Sequence, residues 1–235
     1  MAPRPHSRAG TRWAALLLAL ALLGTAGCER QPPAAGQLPA SGAASAATAP
    51  AADAPVILCL GDSLTAGFGL PEEQSYPALL QARLDARGYR YRVVNAGVSG
   101  DTSAGGLARM DWLLRTFPDI VIVALGGNDG LRGLSPAALK ENLARIIERA
   151  RGVGARVVLA GMRMPANLGA DYTRRFAAVY PVLAREYDVP LIPFLLEGVA
   201  ADPALNQLDM IHPNAKGTRI VMENVWRVLE PLLEK

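Results

Sequence analysis

Val56-Ile57-Leu58-Cys59-Leu60-Gly61-Asp62-Ser63-Leu64-Thr65 is the stretch on which the fold turns. Five consecutive apolar residues are the length of a strand, and an unbroken apolar run suits a strand buried on both faces rather than one with a wet side. Glycine ends the run, and Asp62 and Ser63 stand where a helix would begin, since both residue types serve helix starts. Four more runs follow the same plan: Tyr91–Asn95, Ile120–Leu125, Arg156–Ala160 and Val189–Ile192. Each is nearly continuously apolar, and each precedes a stretch long enough for a helix. Five such repeats predict a parallel sheet inside an α/β three-layer αβα sandwich. Helices are expected over Tyr76–Arg87, stopping at Gly88; from Ser135 and Pro136 to Arg151; and over Asp171–Tyr187. A last one is opened by Pro213 and runs to the C-terminus. No repeat period suggests a solenoid. Ligands of such a sheet belong beyond the carboxyl ends of its strands.

Outward from that core, the chain divides into three. Arg4, Arg8 and Arg12 precede the apolar run from Trp13 to Leu23, and small residues lead to Cys28, so residues 1–27 are expected to be a signal peptide. Its apolar run is too short to span a bilayer. Cys28 after Thr25-Ala26-Gly27 resembles a bacterial lipoprotein signal. That implies acylation of Cys28, contact with a lipid membrane, and a periplasmic protein anchored at the outer membrane; plain secretion or a soluble periplasmic form is the alternative. Residues 28–55 are dominated by Ala, Pro, Gly and Ser and have almost nothing large to bury, as expected of a flexible tether. Residues 56–235 form the expected domain. The formal charge of +3 comes from the leader: without its three arginines, 21 of the 24 basic residues remain against 21 acidic ones. A neutral mature chain gives no electrostatic case for nucleic acid. Cys59, inside an apolar run, is expected to be a small buried hydrophobe, without a disulfide.

His6 lies in the leader, which leaves His212 as the one imidazole available as a general base. Asp209, three residues earlier in Asp209-Met210-Ile211-His212-Pro213, can reach one ring nitrogen and leave the other to take a serine proton. Ser63, at the first strand's end, is the candidate nucleophile; the alternative is a helix cap. The Gly-x-Ser-x-Gly elbow is absent because Thr65 follows where its second glycine would stand. Donors for a developing oxyanion are available after the second strand, in Asn95-Ala96-Gly97-Val98-Ser99-Gly100-Asp101-Thr102, and after the third, in Gly126-Gly127-Asn128-Asp129. Asp62, Asp101 and Asp129 could be mistaken for a carboxylate cluster, but each adjoins a strand end where capping and turn duties are expected. With one histidine beyond the leader and no paired cysteines, a metal site lacks ligands. Phosphate-binding glycine patterns are missing too, so no cofactor is expected.

These four blocks, in this order at the ends of the expected elements, resemble the SGNH (GDSL) hydrolase superfamily from Val56 to the end of the chain. The resemblance implies a flavodoxin-like five-stranded parallel sheet, with Ser63 as nucleophile and His212 and Asp209 as the base and its orienting acid. It also implies Gly100 and Asn128 as oxyanion donors alongside the Ser63 N–H. The longer stretches Ser99-Gly100-Asp101-Thr102, Gly126 to Gly133 and Arg163 to Asn167 are similar to the branch of bacterial thioesterases, lysophospholipases and secreted arylesterases. By that likeness Leu131, Met164, Pro165 and Leu168 line an acyl groove. The implied activity is hydrolysis of small to medium acyl esters or thioesters. A polysaccharide O-acetyl esterase and a tethered binding module without catalysis stand as alternatives, and nothing in the sequence requires more than a monomer.

Overall fold

The computed structural model describes residues 53–235; the expected signal peptide, Cys28 and the tether as far as residue 52 lie outside the described residues. The five strands are β1 (Val56–Gly61), β2 (Arg92–Gly97), β3 (Ile120–Ala124), β4 (Arg156–Ala160) and β5 (Leu191–Ile192). All pair in parallel in the order β2-β1-β3-β4-β5, the flavodoxin-like order. Every residue of β1 and β3 is buried, as their unbroken apolar runs require of central strands. β2 departs from that expectation. It is an edge strand, so Val93 and Val94 are only half-buried and Asn95 is exposed. β5 is shorter than its apolar run, because Pro190 has no N–H to give to the ladder, although its carbonyl still accepts from Leu159.

The helices are α1 (Ser63–Ala66), α2 (Tyr76–Ala86), α3 (Ser103–Ala108), α4 (Met110–Leu113), α5 (Gly127–Leu131), α6 (Pro136–Gly152), α7 (Ala170–Glu186) and α8 (Ala215–Leu229). Right-handed crossovers fix their faces. The connection from β1 to β2 runs one way along the sheet, and those from β2 to β3, β4 and β5 run the other. Accordingly α2 packs with α8, while α3, α4, α6 and α7 contact one another in series. α6 turns Leu139, Leu143, Ile146, Ile147 and Ala150 inward at helical spacing. The last helix corrects the sequence reading. It begins at Ala215, because the Asn214 side chain accepts from Lys216 N and Gly217 N as the N-cap, and it ends at Leu229 before a short 3₁₀ turn. Pro213 instead lies in a β-bridge with Asn206.

Two features place the site. The strand order reverses at β1, so the crevice of this topology opens at the carboxyl ends of β1 and β3. The register pairs Gly61 with both Gly97 and Ala124, so the loops after β1, β2 and β3 leave the sheet at one level.

Candidate active site

Asp62 resolves the question of whether Ser63 is a cap. Its own Oδ1 accepts from Leu64 N at 3.0 Å and caps α1, which leaves Ser63 as the first helical residue with its hydroxyl free for other work. Ser63 Oγ lies 2.8 Å from His212 Nε2, and His212 Nδ1 lies 2.6 Å from Asp209 Oδ2. A ring nitrogen facing a carboxylate is assigned as the donor, which leaves Nε2 to accept the serine hydroxyl. Asp209 reaches back over so short a spacing because Met210 adopts a left-handed conformation (φ 59°), and Asp209 Oδ1 accepts from both Ile211 N and His212 N at 2.9 and 3.0 Å. Those bonds, first of all the His212 backbone and side-chain donors, hold the Asp209 carboxyl down to about 2. Phe68 packs its ring against the imidazole at 4.6 Å.

Asn128, Gly100 and Ser63 meet across the crevice. Asn128 Nδ2 donates to the Asp101 carbonyl at 2.9 Å and makes a longer 3.4 Å approach to Asp62 Oδ2. Both contacts are acceptors for the amide hydrogens, the Asp101 carbonyl the nearer and Asp62 the weaker of the two. Among the described residues neither the Ser63 N–H nor the Gly100 N–H has a protein acceptor. Gly100 has φ 86°, and a Cβ there would meet nothing nearer than Arg132 Nη2 at 3.8 Å; the need for glycine is conformational, not steric. Asp62 is 2% exposed, and burial pushes its carboxyl up to about 6 against the opposing Leu64 hydrogen bond. Asp129, equally buried, accepts from Ser103 N at 2.7 Å and Ser103 Oγ at 2.5 Å.

An open pocket of about 310 Å³ joins these groups. Ser63, Gly100, Asn128, Leu131 and His212 line it, together with Leu64, Phe68, Ser99 and Ile211, which sequence reasoning missed. Asp209 stands behind the imidazole. Of the expected acyl-groove residues only Leu131 lines the pocket. Met164 sits under α5, where a Cβ on Gly130 would fall 2.1 Å from its Sδ; Pro165 is exposed and Leu168 half-buried, away from the lining. A further residue without a sequence signal is Gln207, whose Nε2 donates to the Phe68 carbonyl at 2.7 Å and the Pro213 carbonyl at 3.0 Å, tying the Phe68 loop to the histidine loop. Cys59 is fully buried and its thiol is pushed up to about 12 by burial, which makes it inert.

Such an edge is equipped to activate a hydroxyl and to receive negative charge on an oxygen two bonds away, which defines a serine hydrolase on a parallel α/β sheet. Residues 59–220 match the GDSL-like lipase/acylhydrolase family, and the chain belongs to that family. It is 49% identical over 183 residues to the esterase TesA of Pseudomonas aeruginosa, covering 77% of this chain and 91% of that one. It is 42% identical over 184 residues to the thioesterase 1/protease 1/lysophospholipase L1 of Escherichia coli K12, covering 78% and 87%. The crystal structure of TesA superposes with a TM-score of 0.74 at 49% identity, over 76% of this chain and 99% of that one. The protein is a carboxylic ester hydrolase. No helix among the described residues is long and apolar enough to cross a membrane.

Proposed function

We propose that the protein hydrolyses small to medium acyl esters and thioesters through an acyl-enzyme on Ser63. The observation that carries this reading is the unbroken series from Ser63 Oγ through His212 to Asp209, at 2.8 and 2.6 Å, opening onto a pocket edged by apolar side chains. Ser63 Oγ bonds to the acyl carbon as its proton passes to His212 Nε2, and the carbonyl electron pair moves onto oxygen. The Ser63 and Gly100 N–H groups and Asn128 Nδ2 receive that charge. Collapse of the intermediate breaks the bond to the alcohol or thiol, which leaves with the proton from Nε2; water, deprotonated by the same nitrogen, then frees the acid and returns Ser63. Relatives named as an esterase and as a thioesterase and lysophospholipase support both leaving-group classes, and Leu64, Phe68, Leu131 and Ile211 offer an apolar lining to the acyl chain. Initial rates on p-nitrophenyl esters of two to sixteen carbons, with an acyl-CoA and a lysophospholipid alongside, test the substrate class. Turnover of short and medium chains is expected, and no hydrolysis of any of them by folded protein would overturn the reading.

Export and anchoring belong to the same proposal. Residues 1–27 direct export, Cys28 is acylated and inserts in the outer membrane, and residues 28–55 tether the hydrolase domain of 56–235 in the periplasm, as a monomer. Cells fed a clickable palmitate analogue should label the wild-type chain and not Cys28→Ala; equal labelling of both would leave the protein unanchored.

A further inference from the structure

Three loops carry the oxyanion donors, and each of those donors adjoins an aspartate: Asp62 before Ser63, Asp101 after Gly100, and Asp129 after Asn128. The ladder ties the loop after β1 to the loop after β2 only as far as the Gly61 carbonyl and Val98 N, which leaves a gap between them at Gly100 and Asp101. Arg109, at the break between α3 and α4, spans that gap. Its Nε donates to Asp101 Oδ2 at 2.7 Å and its Nη2 donates to the Gly61 carbonyl at 2.9 Å. The same Gly61 carbonyl accepts from Val98 N, and the Asp101 carbonyl is the acceptor that holds Asn128 Nδ2. One guanidinium therefore meets the backbone two residues before Ser63, the residue following Gly100, and, through Asp101, the side chain of Asn128. The pair is four-fifths buried, at 19% and 18% exposure, so it is shielded from the screening that makes surface pairs nearly worthless. A planar fork can hold two acceptors at a fixed angle, which an ammonium on a flexible stem cannot.

We propose that Arg109 is a positioning residue of the oxyanion site, setting the spacing of the Ser63, Gly100 and Asn128 donors by bridging Asp101 and the Gly61 carbonyl. The inference rests on the proposed mechanism, because it assigns the bridge a role in transition-state binding rather than in folding alone. Displaced donors still admit substrate, but they no longer meet the developing charge.

The test is a double-mutant cycle. Arg109→Met and Arg109→Lys should each lower kcat by about 10- to 10²-fold with KM changed by less than about twofold, the scale of a small misplacement at a reacting centre. Asp101→Asn, which keeps the backbone carbonyl but breaks the ion pair, should lose activity in the same manner. In an Asn128→Ala background, where one of the three positioned donors is already gone, Arg109→Met should cost clearly less than it does in the wild type, though not nothing. Should Arg109→Met fail to fold, Arg109→Lys and Asp101→Asn carry the cycle, with melting temperatures checked for each. Equal losses in both backgrounds, or losses confined to KM, would overturn the inference while leaving the mechanism standing. Undiminished kcat in Asn128→Ala alone would overturn the oxyanion reading itself and this inference with it.

Discussion

On the base side of the pocket, Asp209 holds Ile211 N, His212 N and the imidazole across two or three residues of chain, with its side chain 37% exposed. On the oxyanion side, Ser103 to Asp129, Asn128 to Asp101, Arg109 to Gly61 and Asn128 to Asp62 join residues 26, 27, 48 and 66 positions apart, and Asp62 and Asp129 are 2% exposed. The carboxylates show the contrast chemically. Hydrogen bonds to the charged form hold Asp209 down to about 2, whereas burial raises Asp62 to about 6. One half of the site is a local loop that organises itself beside water. The other half exists only when the sheet has formed and its loops have met, so its bracing is tied to the stability of the whole domain.

The base half should fail as a unit. Ser63→Ala and His212→Ala are each expected to lower kcat by about 10⁵- to 10⁶-fold, the double mutant to be scarcely worse than either, and Asp209→Ala to retain more, at a loss of about 10⁴-fold. A melting temperature close to wild type should accompany the Asp209→Ala loss, because the contacts of that carboxylate are local and exposed. Additive losses across the three sites, measured by kcat on one ester, would break the unit.

The oxyanion half should fail by degrees. Asn128→Ala should lower kcat by about 10²- to 10³-fold, the worth of one positioned donor, with KM little changed. Unchanged kcat in a folded variant would return Asn128 to a turn residue.

The smallest effect concerns stability and pH. Asp62 ionises at about 6 in the fold against 3.8 for the free side chain. The folded state therefore binds its proton more tightly, and the stability this gives is complete below about 3.8 and lost as pH rises through about 6. Asp62→Asn keeps an acceptor for Leu64 N and cannot ionise. Relative to the wild type it should gain up to about 3 kcal/mol between pH 4 and pH 7, by urea unfolding at the two values. A wild-type to variant difference that does not move with pH would show that Asp62 carries no burial penalty.

The contrast between the halves also explains what the sequence made legible. The apolar runs announced all five strands, most plainly β1 and β3, because central parallel strands admit little else on either face. Arg92 and Asn95 in the second run were the signs of an edge strand. The spacing of Asp209 and His212 was legible because the contact it encodes is three residues long. Gly100 and Asn128 were reachable through strand ends and the family resemblance. Arg109 carried no signal, since its partners Asp101 and Gly61 are brought together by the register of β1 with β2 and by the path of α3. Gln207 and Phe68 were missed for the same reason: their contact closes a gap of 139 residues. The groove expectation named Met164, Pro165 and Leu168 where the pocket uses Leu64, Phe68 and Ile211, because a loop's sequence does not say which side of α5 it packs against. Pro213 suggested a helix start two residues too early, as Asn214 can satisfy two amides that proline cannot.

The central claim is that His212 and the oxyanion donors converge on one activated hydroxyl, and covalent labelling with a fluorophosphonate, followed by mass spectrometry of the modified peptide, reads that hydroxyl directly. The wild type should be modified at Ser63 alone. His212→Ala should be labelled far more slowly, Asn128→Ala should fall between the two, and Ser63→Ala should not be labelled. Equally rapid labelling of Ser63 in wild type and His212→Ala, or modification of folded Ser63→Ala at another residue with full esterase activity, would contradict the account.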